Sequence, residues 1–142
     1  MKVLSLDTRV GSLLIPVSMV AQVLVSSNSR PFEHRQSFVN HEINWREYTM
    51  PLINSSEALG ALKIVDEDHS RAVVLWPLKG FKQTDFLAFT STEAPKIVVL
   101  DESVQALPAT NLKEIRYASG VVQIGSRLGI IPDLKHLAQD VF

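Results

Sequence analysis

The sequence contains no cysteine. Disulfide frameworks, thiolate zinc sites and cysteine nucleophiles are excluded, and a reducing cytosol suits such a chain. Excess charge of one sign is also missing: the formal net charge is −1, and the lysines and arginines are scattered. Nucleic acid or an anionic membrane surface demands a positive stripe that is not there. Long apolar runs are lacking too. The longest, Leu13 to Val25, is interrupted by Pro16, Ser18 and Gln22 and falls short of the roughly 20 residues needed to span a bilayer. Lys2 followed by Val3-Leu4-Ser5-Leu6-Asp7 is too short and too soon polar for a signal peptide. A cytoplasmic location without membrane insertion is expected. Only six glycines occur, and no P-loop, GxGxxG or GxSxG pattern is built from them. Gly125-Ser126-Arg127-Leu128-Gly129 puts two residues between serine and glycine, and a turn explains it better than a nucleophile elbow.

What is present suits a packed core. Of 142 residues, 46% are hydrophobic and 20% charged, enough for one domain, 1–142, or two small packed halves. Short apolar or alternating runs separated by polar punctuation dominate. They cover Val3–Leu6, Leu13–Ile15, Gln36–Ile43, Tyr48–Ile53, Ala72–Leu75 and Phe86–Phe89, then Ile97–Leu100, Ile115–Ala118, Val121–Ile124 and Leu128–Ile131. Such runs, rich in β-branched and aromatic residues, read as strands. About ten of them point to barrels or a sandwich. Gly125-Ser126 is a tight-turn signal between the last two.

Three segments admit helix. Ser18–Val25 is apolar at almost every spacing, so its period decides nothing between helix and strand. Asn54 to Gly60 reads as a short helix, with a polar N-cap, Glu57 three residues later as in a capping box, and a glycine stop. In Pro132–Gln139 the proline suits a first helical position. Loops are expected at Ser26–Arg35, Asp66–Ser70, Pro77–Thr84 and Leu107–Lys113.

Chemical motifs are sparse. His34, His41, His69 and His136 form no HxH, HxxxH or HExxH pair and read as surface residues. Asp66-Glu67-Asp68 lacks the glycine and distant glutamate of an EF-hand and reads as a solvated loop tip. No metal or cofactor is expected. The most informative stretch runs from Phe38 to Asn54: an apolar strand enters the polar turn Asn44-Trp45-Arg46-Glu47, and a second strand leaves it. Trp and Arg side by side at a strand end are frequent interface anchors. Equally, Trp45 reads as core and Arg46 as a solvated turn charge.

That stretch resembles the hallmark of CheW-like domains, the coupling proteins of bacterial chemotaxis arrays. Asn44, Arg46, Pro51 and Ile53 fall on matching positions, with Trp45 in place of leucine and Asn54 in place of aspartate. Glu57-Ala58-Leu59-Gly60 is similar to the short helix that follows. Leu14 to Leu24 resembles the opening signature, with Gln22 where glutamate is usual, and Gly120 to Leu137 resembles the closing strand pair and helix. His41 and Glu47 replace two motif glycines, so a bulkier turn of different backbone shape is expected.

The resemblance implies a mainly β fold: two small intertwined five-stranded β-barrels with short helices. It implies a non-catalytic adaptor between the chemoreceptor cytoplasmic tip and the regulatory domain of a CheA-type histidine kinase. Asn44 and Arg46 are then the leading contact residues, with Trp45 and Glu47 as local additions. A small-ligand-binding β-barrel is the alternative, although barrels this narrow leave space only for filling side chains. A hydrolase using His136 or His69 with nearby carboxylates is a third reading.

Overall fold

The computed structural model describes residues 1–25, 28–61, 71–108 and 114–142. The Asp66–Ser70 loop, with Asp66-Glu67-Asp68 and His69, lies outside these residues, as does much of Leu107–Lys113.

The chain is mainly β. The strands are β1 (Lys2–Asp7), β2 (Ser12–Pro16), β3 (Val20–Leu24), β4 (Ser29–Pro31), β5 (Val39–Trp45) and β6 (Tyr48–Ile53). They continue with β7 (Ala72–Leu75), β8 (Leu87–Thr90), β9 (Lys96–Val99), β10 (Gln105–Ala106), β11 (Ala118–Ile124) and β12 (Arg127–Pro132). Two helices, α1 (Ser55–Ala58) and α2 (Leu134–Val141), and a 3-10 turn over Val17–Met19 complete the described elements. One sheet has the order β10-β11-β12-β2-β1-β9, the other β3-β7-β8-β6-β5-β4. Each therefore holds six strands rather than the five expected, and the extra members are short edge strands, β4 and β10.

Alternation along the strands sorts the buried apolar residues into three cores. Leu4, Leu6, Leu13 and Ile15 of the first sheet meet Val73, Leu75, Leu87 and Phe89 of the second in a shared core. Facing the other way, Ala72, Val74 and Ala88 pack with Ile43, Trp45, Met50 and Leu52, while Val3, Leu14 and Val122 form a smaller cluster. Each sheet is thus apolar on both faces, which is why β7 and β8 read as unbroken hydrophobic runs. Gly129 on β12 is required by this packing: a Cβ there would meet Val122 Cγ2 at 2.8 Å and Leu14 Cδ1 at 2.9 Å.

Local differences from the sequence reading have identifiable causes. Ser18–Val25 divides into the 3-10 turn and β3, because β3 pairs antiparallel with β7. Ser29–Pro31, expected in a loop, is strand through its pairing with β5. Ile115–Ala118 is not a separate strand: Tyr117 has φ 53°, and β11 starts only at Ala118. Asn54 caps α1 through its side chain and Glu57 N–H (3.0 Å). The return bond of a capping box is not made, because the Asn54 N–H donates to Phe38 O at 2.9 Å. Pro132 ends β12 rather than starting α2. Asp133 is the N-cap there, its carboxylate accepting from the His136 N–H at 3.1 Å. The Gly125-Ser126 turn forms as read, with Gly125 at φ 60°.

Candidate protein-binding surface

The β5–β6 hairpin carries the site expected from sequence. Register pairs Asn44 with Thr49 and Trp45 with Tyr48, leaving Arg46 and Glu47 as a two-residue turn. A two-residue hairpin needs a positive φ at its first central position, and Arg46 supplies it at φ 54°. The turn therefore closes without the motif glycine that Glu47 replaces.

Alternation separates the four candidate residues. Asn44, Arg46 and Glu47 are exposed, whereas Trp45 is turned inward and only 6% exposed. Asn44 is locked in place: its Oδ1 accepts from Thr49 Oγ1 (2.7 Å) and Arg30 Nη2 (3.2 Å). Arg30 in turn pairs with Glu42 at 2.7 Å across β4–β5. As a surface ion pair it adds little stability, but it fixes the orientation of the polar groups around Asn44. The Arg46 guanidinium lies over the Trp45 ring, 4.5 Å from its centroid.

Beneath the turn, aromatic rings are stacked into a support. Trp45 meets Phe86 edge-on at 5.5 Å and Trp76 at 6.2 Å, and Tyr48 lies 4.5 Å from Phe86. The Trp45 indole N–H donates to Gln22 Oε1 at 2.8 Å. Trp45 and Gln22 are two positions where the chain departs from the motif, and the fold places them in direct contact. Trp76 is 45% exposed beside this cluster and so extends the surface with an aromatic face. Sequence reasoning missed Trp76, Phe86 and Arg30, because their proximity depends on the order of strands within the sheet. The signal available for Trp76 was a large aromatic directly after the apolar run of β7.

A second feature is a groove of about 320 Å³ beside β2 and β12 of the first sheet, bounded by the 3-10 turn, the segment after β7 and the start of α2. Leu14, Pro16, Met19, Leu78, Ile131 and Leu134 line it, and Lys79 and Lys135 stand at its margin. By contrast, the faces within the sheets are filled by the side chains of the three cores.

Two of the histidines, His34 and His41, hold local structure together. In His34, Nδ1 accepts from the Gln36 N–H (3.0 Å) and Nε2 lies 2.9 Å from Val141 O, so both nitrogens are used. His41 Nδ1 bonds Asn40 Oδ1 at 2.9 Å. His34 and His41 are half-buried, each ring drawn into these bonds. His136 is exposed and stands 3.4 Å from Asp140 Oδ2, which also accepts from the Tyr117 hydroxyl at 2.6 Å. Burial, then the Asp140 carboxylate, raise the Tyr117 hydroxyl above its ordinary value, the opposite of activation as a nucleophile. Among the described residues no group of His, Asp and Glu has the arrangement to hold a metal ion, and no helix is long and apolar enough to cross a membrane.

The family model for the CheW-like domain matches residues 2–142. This chain belongs to the CheW-like family. Among solved structures, the CheW-like domain described here is similar to the scaffolding protein TtCheW from Thermoanaerobacter tengcongensis, at 17% identity and a TM-score of 0.70. The match covers 92% of this chain and 87% of that one. At that identity the likeness establishes the fold. The comparison with curated proteins gives no match. The family assignment and the fold agree with the reading of the three sequence motifs.

Proposed function

We propose that this CheW-like domain is a non-catalytic cytoplasmic adaptor that couples chemoreceptors to a CheA-type histidine kinase in a chemosensory pathway. The observation that carries this reading is the exposed Asn44–Glu47 edge, held rigid on Trp45, in a chain matching the family over 2–142. Asn44 and Arg46 present pre-oriented polar groups, and Trp76 adds apolar area beside them. Aromatic and arginine side chains on a fixed frame are what hot spots in protein interfaces use. In this reading the edge contacts the regulatory domain of the kinase.

The groove beside β2, β12 and α2 takes the second partner. Its apolar floor fits one face of an amphipathic helix, and Lys79 and Lys135 favour acidic residues flanking that face. The cytoplasmic tip of a chemoreceptor is the proposed occupant. The chain needs no cofactor for either contact.

Size-exclusion chromatography of this protein with the regulatory domain of its nearest encoded CheA-type kinase tests the proposal. Co-elution is expected, lost on Arg46→Gly with no loss of folding. Separate elution at the highest concentrations reached, from a folded protein, removes the kinase from the reading. A matched titration with a receptor-tip fragment tests the groove, and Lys79→Glu with Lys135→Glu is expected to weaken that binding.

A further inference from the structure

The strand β9 has the sequence of a central strand but occupies the edge of its sheet. Lys96-Ile97-Val98-Val99-Leu100 is apolar at four consecutive positions. Val98 and Leu100 pack on the small cluster, while Ile97 and Val99 point to the other face, 64% and 59% exposed. Edge strands are ordinarily blunted by charge, proline or a bulge along their length. Here charge stands only at the two ends, Lys96 on one side and Asp101-Glu102 on the other.

The backbone pattern fixes which groups are available. Leu100 N–H donates to Met1 O at 2.8 Å, and the Met1 ammonium donates to Leu100 O at 3.1 Å, so Leu100 faces β1 with both its groups. Register with β1 continues inward through Val98 opposite Val3 and Lys96 opposite Ser5. Because bonding alternates along an antiparallel strand, Lys96 and Val98 also face β1. Ile97 and Val99 present their N–H and C=O groups outward, and among the described residues no strand pairs with that edge.

We infer that β9 is a self-association edge, pairing antiparallel with β9 of a second copy of this chain about a two-fold axis at Val98. In that register Ile97 of each copy lies opposite Val99 of the other. All the outward groups of both strands are then used, giving four hydrogen bonds, and two β-branched pairs are covered on one face. Lys96 of each copy comes opposite Leu100 and beside Asp101 of the other. Opposite charges therefore meet at both ends. A parallel pairing sets like charges together, and a one-residue slip opposes outward groups to inward ones. This charge arrangement selects a second copy over an unrelated strand. A pair of four-residue strands sits at the low end of interface size, so the association is weak and concentration-dependent. It does not rest on the adaptor reading.

Single-cysteine variants of the full chain test it cleanly, since the sequence has no cysteine of its own. Val98→Cys is expected to form a disulfide-linked dimer on mild oxidation. The exposed-loop control Lys82→Cys stays monomeric, and Ile97→Lys on the Val98→Cys background abolishes the cross-link. Should Val98→Cys fold poorly, an equimolar mixture of Ile97→Cys and Val99→Cys replaces it: cross-linking is expected in the mixture and not in either variant alone. Sedimentation of the wild type is expected to show a concentration-dependent rise in mass. Cross-linking no greater than the Lys82→Cys control, with a concentration-independent monomer, overturns the inference. So does protection of the edge only by an added kinase domain.

Discussion

Replacing Trp45 by alanine tests whether the proposed contact edge stands on a buried ring. Trp45 is 6% exposed and packed against Phe86, Trp76 and Tyr48. Removing a buried tryptophan side chain costs about 3–5 kcal/mol through lost transfer energy and the cavity left behind. Two smaller contributions lie within that figure. The edge-on ring contacts are worth about 0.5–1.5 kcal/mol beyond area, and the hydrogen bond to Gln22 about 0.5–1.5 kcal/mol. Gln22 is exposed, so its Oε1 returns to water when the indole is lost and no buried acceptor is stranded. Cavity formation therefore dominates. Against a total stability of about 5–15 kcal/mol for a domain, Trp45→Ala is expected to leave the protein marginal. Urea unfolding followed by far-ultraviolet circular dichroism measures it. A loss under about 1 kcal/mol would refute the assignment of Trp45 to the core. The cycle of Trp45→Phe with Gln22→Ala isolates the hydrogen bond, with an expected coupling of about 0.5–1.5 kcal/mol.

At Arg46, three effects nearly cancel in Arg46→Gly. Glycine relieves the left-handed backbone by about 1–2 kcal/mol, while the cation–π contact is worth about 0.5–1 kcal/mol and the freer unfolded chain costs about 0.4–1 kcal/mol. Thermal unfolding is expected to shift little, while titration calorimetry shows kinase-domain binding weakened by about 1 kcal/mol or more. Gly129→Ala drives a methyl into Val122 and Leu14, and chemical denaturation is expected to report about 1–3 kcal/mol of overpacking. Tyr117 gives an alkaline signature. Its folded-state value is raised above 10, so the stability held by the neutral hydroxyl is full below pH 10 and lost as pH rises through the folded value. Tyr117→Phe is expected to cost about 1 kcal/mol at neutral pH and to lose less stability than wild type when unfolding is repeated above pH 10.

The sequence made the hairpins, the two helices and the family motifs legible because each depends on neighbours in the chain. Asn44, Arg46, Pro51 and Ile53 could be placed on one hairpin, and the Gly125-Ser126 turn likewise. Long-range partners set what stayed hidden. Val39 and Ile43 have the same parity, yet one enters the shared core and the other the core behind it. A bulge between Val39 and His41 flips the faces, and nothing local announces it. A similar irregularity between Val20 and Gln22 explains why β3 showed no clean period. Strand β4, with Ser29, Arg30 and Pro31, has a loop's composition and is strand only because β5 offers it a ladder. In the site, the inward turn of Trp45 followed from alternation once the register was known. The pairing of Trp45 with Gln22 and Trp76 required β3 and the end of β7, which stand away from β5 in the sheet order.

The most direct test of the adaptor reading is a three-component experiment: this chain, the regulatory domain of a CheA-type kinase, and a receptor-tip fragment, analysed by size-exclusion chromatography with light scattering. A single complex containing all three is expected, in which Arg46→Gly releases the kinase domain and Lys79→Glu with Lys135→Glu releases the receptor fragment. Failure of the folded wild-type protein to retain either partner would contradict it.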